Sequence, residues 1–316
     1  MNEVRCLVIS SSIDYSTDYV CLELEARGAS YFRINRDQLL EYKITLDVDR
    51  EAMAFEVAER SYSFSNTVGN SVFFRAPTFL RTCGKPYSLE EQVYHTQWGA
   101  FLRNLVLFDS VTWVNNPADT YLAESKLYQL HIARMVGLAI PRTFATNGSR
   151  IPLDADMYAV KSIDTAHFAT PELEYFAYTS AVPREEFEES DLSLAPVCVQ
   201  EYLRGKVDMR VAYINGKLFP FEIRSNGEGI VGDWRKTRKE DLQYVPAKLP
   251  VGISEKLCAL MRELCLKYGG IDLARCGDAY YFIEANPTGE WCWLQESTGV
   301  MICPSIVDAL MGGGAQ

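Results

Sequence analysis

Apolar and polar positions alternate along this chain with two periods, and the switches between them mark its elements. A short apolar run, Arg5 to Ser10, predicts a strand. "STDYVCLELEARG" then repeats at helical spacing, with Thr17 as the N-cap and Gly28 as the stop. "SYFRIN", Ser30 to Asn35, returns to strand character, so the chain opens with the strand–helix–strand order of an α/β lobe. "SVFFRAPTFLR", Ser71 to Arg81, predicts another buried strand, broken by Pro77, whose Arg75 and Arg81 read as ordinary ion-pair partners. Ser88 and Glu91 fit a capping box ahead of a long helix, with Tyr94, Trp98, Phe101, Leu102 and Leu105 on one face.

"VTWVNNP" closes this first lobe. Asn116 caps, with Pro117 at the first helical position, one helix predicted through Leu122, Lys126, Leu130 and Ala133 to a stop at Gly137. "LAIPRTFATN" reads as an extended connector, and "MYAVKSI" and "APVCVQEYL" as strands. "EEFEES" is an acidic, solvated run. "VDMRVAYINGKLFPFEIRSN" predicts a hairpin turning at Asn215-Gly216, the favoured type I′ pair. A helix from about Ser254 to Tyr268, closed by Gly269, precedes a second hairpin that carries Asp272 and Glu284. The order of elements predicts an α/β (α+β) fold.

Composition narrows the class. A chain of 316 residues suggests two or three lobes, and 48% hydrophobic content supplies enough apolar surface for their cores. The longest apolar runs fall short of the ~20 residues a membrane span needs, and the N-terminal run turns polar too soon for a signal peptide. A net charge of -11 argues against nonspecific nucleic-acid or membrane binding. Nine cysteines without a CxxC pair read as structural thiols of a cytoplasmic protein. The three histidines, His95, His131 and His167, are not at ligand spacing, which argues against a histidine-based zinc centre.

The candidate chemistry gathers late in the chain. A turn near "RCGDA" would bring Asp272 of "GIDLA" opposite Glu284 of "FIEAN", and Asn286 projects to the face of Glu284 because strand side chains alternate. Two carboxylates and an amide oxygen suit magnesium; alone, the facing pair is equally a hydrogen-bonded turn. Lys126 and Lys161 are inward-facing cations in apolar patterns, which must snorkel or find an anion. Gln200 and Glu201 end an apolar strand, Asp208 and Arg210 alternate on the first hairpin, and Arg224 and Asn226 end its second strand. Such groups on successive strands point to a nucleoside-triphosphate site without a P-loop, since neither GxxxxGK[ST] nor GxGxxG occurs. Trp291 and Trp293 either wall this pocket or pack in the core.

The ordered set "ESKLYQLHIARMVGLAIPRT", "AVKS", "VQEYL", "VDMRV", "GIDL" and "FIEANP" resembles the ATP-grasp superfamily. That resemblance implies ATP and Mg2+ as cofactors. Lys126 and Lys161 would contact phosphates, Gln200, Glu201, Tyr202 and Leu203 would hold adenine, and Asp208 the ribose. Arg210, Arg224 and Asn226 would face the transferring phosphoryl group, with Asp272, Glu284 and Asn286 on the metal. "ISSSIDYSTDYVCLELEARGASYFRIN", "VFFRAP", "WVNNP", "DWRK" and "NPTGEWCWLQESTGV" further resemble the graspetide (microviridin-type) peptide maturases. "KSIDTAHFATPE" departs from the superfamily in lacking the glycines of its phosphate-covering loop, so no residue there is assigned.

By this resemblance, residues 1–115 form an N-terminal pre-ATP-grasp α/β domain, 116–190 the central subdomain, and 191–316 the subdomain with the nucleotide and metal site. The implied reaction activates Asp or Glu side chains of a ribosomal precursor peptide, leader plus acidic core, as acyl phosphates. Ser/Thr hydroxyls or Lys amines then close ester or amide rings. A homodimer is the reasonable prior for such enzymes. Asp233 to Lys236, with Arg238 and Lys239, is a basic island that suits either an acidic core peptide or a solvated loop. Rival readings are a ligase adding free amino acids to a protein or peptide and a non-catalytic nucleotide- or peptide-binding protein.

Overall fold

The computed structural model describes residues 2–75, 88–164, 167–169 and 174–312. Its first layer is a parallel sheet in the order Tyr31–Asn35, Cys6–Ser10, Ser71–Phe74, Thr112–Val114. Cys6–Ser10 is buried throughout, as expected of a parallel strand covered on both faces. The predicted strand from Ser71 ends at Phe74; its continuation through Pro77 to Arg81 lies outside the described residues. The first helix, Tyr15–Ala26, starts earlier than expected, because Asp14 rather than Thr17 is the N-cap. Its carboxylate accepts from the Thr17 amide and from the Thr17 hydroxyl, which is buried inside the first turn.

The capping box of Ser88 and Glu91 opens the helix Leu89–Asn104 as predicted. Its apolar face covers a second sheet, in the order Asn2–Glu3, Arg60–Ser65, Ala52–Val57, Lys43–Asp47, that the sequence pattern did not suggest. The turns of that sheet place Glu51, Ala58 and Glu59 at positive φ without the glycine or asparagine that would announce them.

Beyond residue 115 two antiparallel sheets face each other across a cleft. The central one runs Ser180–Pro183, Met157–Lys161, Val197–Glu201, Thr143–Thr146, so a strand beyond position 190 completes it. The C-terminal one runs Leu242–Pro246, Lys217–Ser225, Val207–Ile214, Tyr268–Cys276, Ala279–Asn286. Asn215 and Gly216 both take positive φ, giving the predicted hairpin turn. Helices Lys126–Met135 and Val251–Glu263 pack on one face of this sheet. Trp291 and the helix Cys303–Leu310 pack on the other, in a core shared with Cys6, Val8 and Leu24 of the N-terminal lobe.

Two predicted helices are corrected. The one expected from Pro117 to Gly137 is two, Pro117–Ala123 and Lys126–Met135, because Gln129 folds back to donate to the Ala123 carbonyl and closes the first helix there. The helix expected from Ser254 to Tyr268 is Val251–Glu263; Cys265 at φ +54° ends it, and Tyr268 and Gly269 already belong to the next strand. Gly269 is there for close approach, since a Cβ would stand 2.9 Å from Met261 Cε and 3.1 Å from the Asn286 carbonyl oxygen. Among the described residues no helix is long and apolar enough to cross a membrane, and all eight cysteines are free thiols.

Candidate functional site

The cleft between the two large sheets holds two joined hollows of about 740 and 1010 Å³ that share Lys161, Thr179, Asp233, Arg235 and Ile283. The first is an apolar slot between Pro141, Ala159 and Ala181 on one side and Met209 and Leu273 on the other. Gln200, Glu201, Tyr202, Leu203 and Asp208 line it. The second is polar and holds Lys126, Glu284 and Asn286. An apolar slot opening into a charged hollow is the shape that a nucleotide base followed by its phosphates requires.

The register of the C-terminal sheet builds the charged row. From the turn at Gly277 the hairpin pairs regularly as far as Leu273 with Phe282, and there the register shifts by one residue. That bulge passes over Ile283 and sets Glu284 opposite Asp272, with Asn286 on the same face. On the other side of Asp272 the ladder places Arg210 directly across. Arg210 Nη1 donates to Asp272 Oδ1 at 2.8 Å, and Lys126 Nζ stands 3.4 Å from Glu284 Oε2. The buried Gln129 holds Lys126 there by donating to the Ala285 carbonyl (2.7 Å) and accepting from the Ala285 amide (2.8 Å). Arg210 lies in a slot floored by Gly270 and Gly289, where any Cβ would collide with its guanidinium, and its Nε is buried without a partner.

Cations and carboxylates interleave in the two hollows. Burial alone would raise the Glu284 pKa, but Lys126, Lys161 and Arg235 lower it to about 2, so the carboxylate stays ionised. Burial pushes Lys161 below the usual lysine value, against the pull of Glu284. Burial raises Asp208 despite its ion pair with Lys206. Lys126, Arg210 and Arg235 are each paired to Asp272 or Glu284, Arg235 also to Asp233, and Lys161 stands beside them. Phosphate oxygens would thus meet cations only where acidic groups already balance them, and a bound dication would complete the balance.

Most predicted positions converge. Lys126, Lys161, Glu284 and Asn286 meet in one hollow, and Lys161, Gln200 through Leu203, Asp208 and Asp272 in the other. The Gln200 side chain is tied to Thr143 Oγ1 at 2.9 Å, so its strand end is fixed. Arg224 is not brought in. Asp208 pairs with Ile223 and Arg210 with Phe221, which turns Glu222 and Arg224 to the opposite face. There Arg224 is held by Glu222 (2.7 Å) and by the Gly227 carbonyl (2.6 Å). Asn226 lies in the turn after that strand, at φ +51°, away from both hollows. Trp291 is core, while Trp293 packs against Tyr244 and Trp234. Lys206, Gln129 and Arg235 are site residues to which the sequence pattern assigns no role: Lys206 carries no motif, while Gln129 and Arg235 lie inside the segments "ESKLYQLHIARMVGLAIPRT" and "DWRK" without standing out from their neighbours.

No protein-family model matches the chain, and no curated protein matches it. Solved structures do. The fold is the ATP-grasp fold, preceded by an α/β lobe. The macrocyclase MdnC of Microcystis aeruginosa MRC, solved with its precursor peptide MdnA, shares 22% identity at a TM-score of 0.82, over 97% of this chain and 99% of that one. The macrocyclase MdnB of the same organism shares 26% at 0.77, over 98% and 99%. A RiPP-associated ATP-grasp ligase of Chryseobacterium gregarium, solved with ADP and a leader and core peptide, shares 23% at 0.76, over 100% and 98%. A RimK domain protein of Sphaerobacter thermophilus is more distant, at 14% and 0.58.

Proposed function

We propose that this chain is an ATP-dependent ligase that closes rings in a ribosomal precursor peptide, joining Asp or Glu side chains to Ser/Thr hydroxyls or Lys amines. The observation that carries this reading is the row Arg210–Asp272–Glu284, flanked by Lys126 and Lys161 at the end of an apolar slot. Adenine fits the slot at Gln200 to Leu203, with Asp208 toward the ribose, and the lysines meet the phosphates. Asp272 and Glu284 already share one cation between them, the Arg235 guanidinium, and with the Asn286 amide they form a hard-oxygen set that fits Mg2+. Bound there, Mg2+ would neutralise phosphate charge.

A peptide carboxylate oxygen attacks the γ-phosphorus, the bond to ADP breaks, and an acyl phosphate forms. A hydroxyl or amine then attacks the acyl carbon, and phosphate leaves with one carboxylate oxygen and the nucleophile's proton. Positioning and charge neutralisation dominate such transfers. Arg210, locked beside Asp272, is suited to steady the transferring group. Arg224 and Asn226, turned elsewhere, are left out of this step. We assign residues 1–115 to the N-terminal domain, 116–190 with the strand Val197–Glu201 that completes its sheet to the central subdomain, and the remainder to 316 to the subdomain with the metal site. ATP use and the buried free thiols go with a cytoplasmic setting.

The peptide substrate is supported by likeness along nearly whole chains to MdnC, solved with a precursor peptide, and to the C. gregarium ligase, solved with leader and core. The weaker likeness to a RimK domain protein makes addition of free amino acids the second reading. Incubating the chain with MgATP and a precursor peptide encoded beside its gene should remove one water mass per crosslink. An unchanged peptide, with mass gained only when free amino acids are supplied, would favour the second reading.

A further inference from the structure

Arg235 stands apart from the other cations of the site. Lys126 and Arg210 come from a helix and a central strand, but Arg235 comes from the short turn Trp234–Lys236 in the loop after the first hairpin. The turn is fastened to the central sheet by Asp233, whose carboxylate accepts from the Thr179 amide (3.2 Å) and the Arg235 amide (3.1 Å). From there Arg235 crosses the cleft. One nitrogen, Nη2, lies 3.0 Å from Asp272 Oδ2 and 3.3 Å from Glu284 Oε1. The outer oxygens of the pair go to Arg210 and Lys126. The Arg235 nitrogen therefore fills the point where a cation shared by both carboxylates would sit. Burial works against its charge, but Asp272 and Glu284 raise its pKa overall. Its side chain is still 39% exposed, against 8% for Arg210, so it has somewhere to go.

We propose that Arg235 is the resident counter-cation of the metal site, seated between Asp272 and Glu284 in the metal-free chain and displaced when the dication enters. This rests on the reading of those carboxylates as metal ligands. A magnesium-sized ion needs oxygens at about 2.0–2.1 Å, which leaves no room for a guanidinium nitrogen between them. The displaced guanidinium stays tethered at Asp233, beside Lys161 and Thr179, on the phosphate side of the cleft. Metal entry thereby delivers a further cation to the reacting end, and in the empty site the facing oxygens of the two carboxylates, Asp272 Oδ2 and Glu284 Oε1, are not left without a cation between them.

The test is Mn2+ binding without nucleotide, read as loss of the free-ion EPR signal, in the full chain and its variants. Arg235→Gln removes the competitor and should bind Mn2+ on the order of tenfold more tightly. Without metal the same variant should melt at a lower temperature than wild type, and Mn2+ should recover more of that loss than it gives wild type. Arg235→Lys should fall between. Mn2+ affinity in Arg235→Gln equal to or weaker than that of a wild type that binds would overturn the counter-cation role alone. Undiminished binding in Glu284→Gln, or no binding by any variant, would overturn the metal-site reading and this inference with it.

Discussion

A methyl group at Gly270 would stand 2.2 Å from the Arg210 guanidinium, and one at Gly289 2.4 Å from it. These residues hold the Arg210 fork beside Asp272. Gly270→Ala should expel it and cost turnover as much as Arg210→Ala does, roughly 10²–10³-fold. Added to Arg210→Ala, the glycine change should cost little more; fully additive losses in steady-state rates would show that the two act separately. Glu284 carries a second prediction. Its folded-state pKa is lowered from 4.5 to about 2 by Lys126, Lys161 and Arg235 against burial. Its contribution to stability is therefore complete above pH 4.5 and lost as pH falls toward 2. Urea unfolding across that window should show a shallower acid loss in Glu284→Gln than in wild type.

At the scale of elements, Gln129 joins the helix Lys126–Met135 to the strand Ala279–Asn286. Gln129→Ala strands the Ala285 amide and carbonyl, at about 1–3 kcal/mol for each buried group left unpaired. A denaturation midpoint within error of wild type would contradict that. Elements with local chemistry were legible in the sequence: the Ser88–Glu91 box, the Asn116-Pro117 helix start and the Asn215-Gly216 turn. The sheet over residues 43–65 was not, because its turns lack glycine. The helix break near residue 124 depends on a side chain five or more positions away, which periodicity does not register. In the site, the facing of Asp272 and Glu284 was foreseen from spacing that happened to include the bulge at Ile283. Arg224 was misplaced because two-residue alternation was not carried across from Arg210 to its partner strand.

Across the whole molecule, Arg75 fastens the N-terminal lobe to the C-terminal sheet. Buried at the end of the strand Ser71–Phe74, it donates to Asp14 (3.2 Å), Glu290 (2.5 Å), the Tyr268 hydroxyl (2.7 Å) and the Thr288 carbonyl (2.8 Å). The sequence reading of an ordinary ion-pair partner understated it. Arg75→Ala leaves Asp14 and Tyr268 buried without their cation and should cost about 3–5 kcal/mol, read as one earlier unfolding transition. The lobe so fastened sets the strand end Pro287–Glu290 against Arg210, and with it the catalytic row. The central claim is that a peptide carboxylate is activated on this row as an acyl phosphate. The most direct measurement labels the side-chain carboxylates of the precursor peptide with heavy oxygen and analyses the phosphate released during crosslinking. One label per phosphate is the predicted result; phosphate released unlabelled while rings close would contradict it.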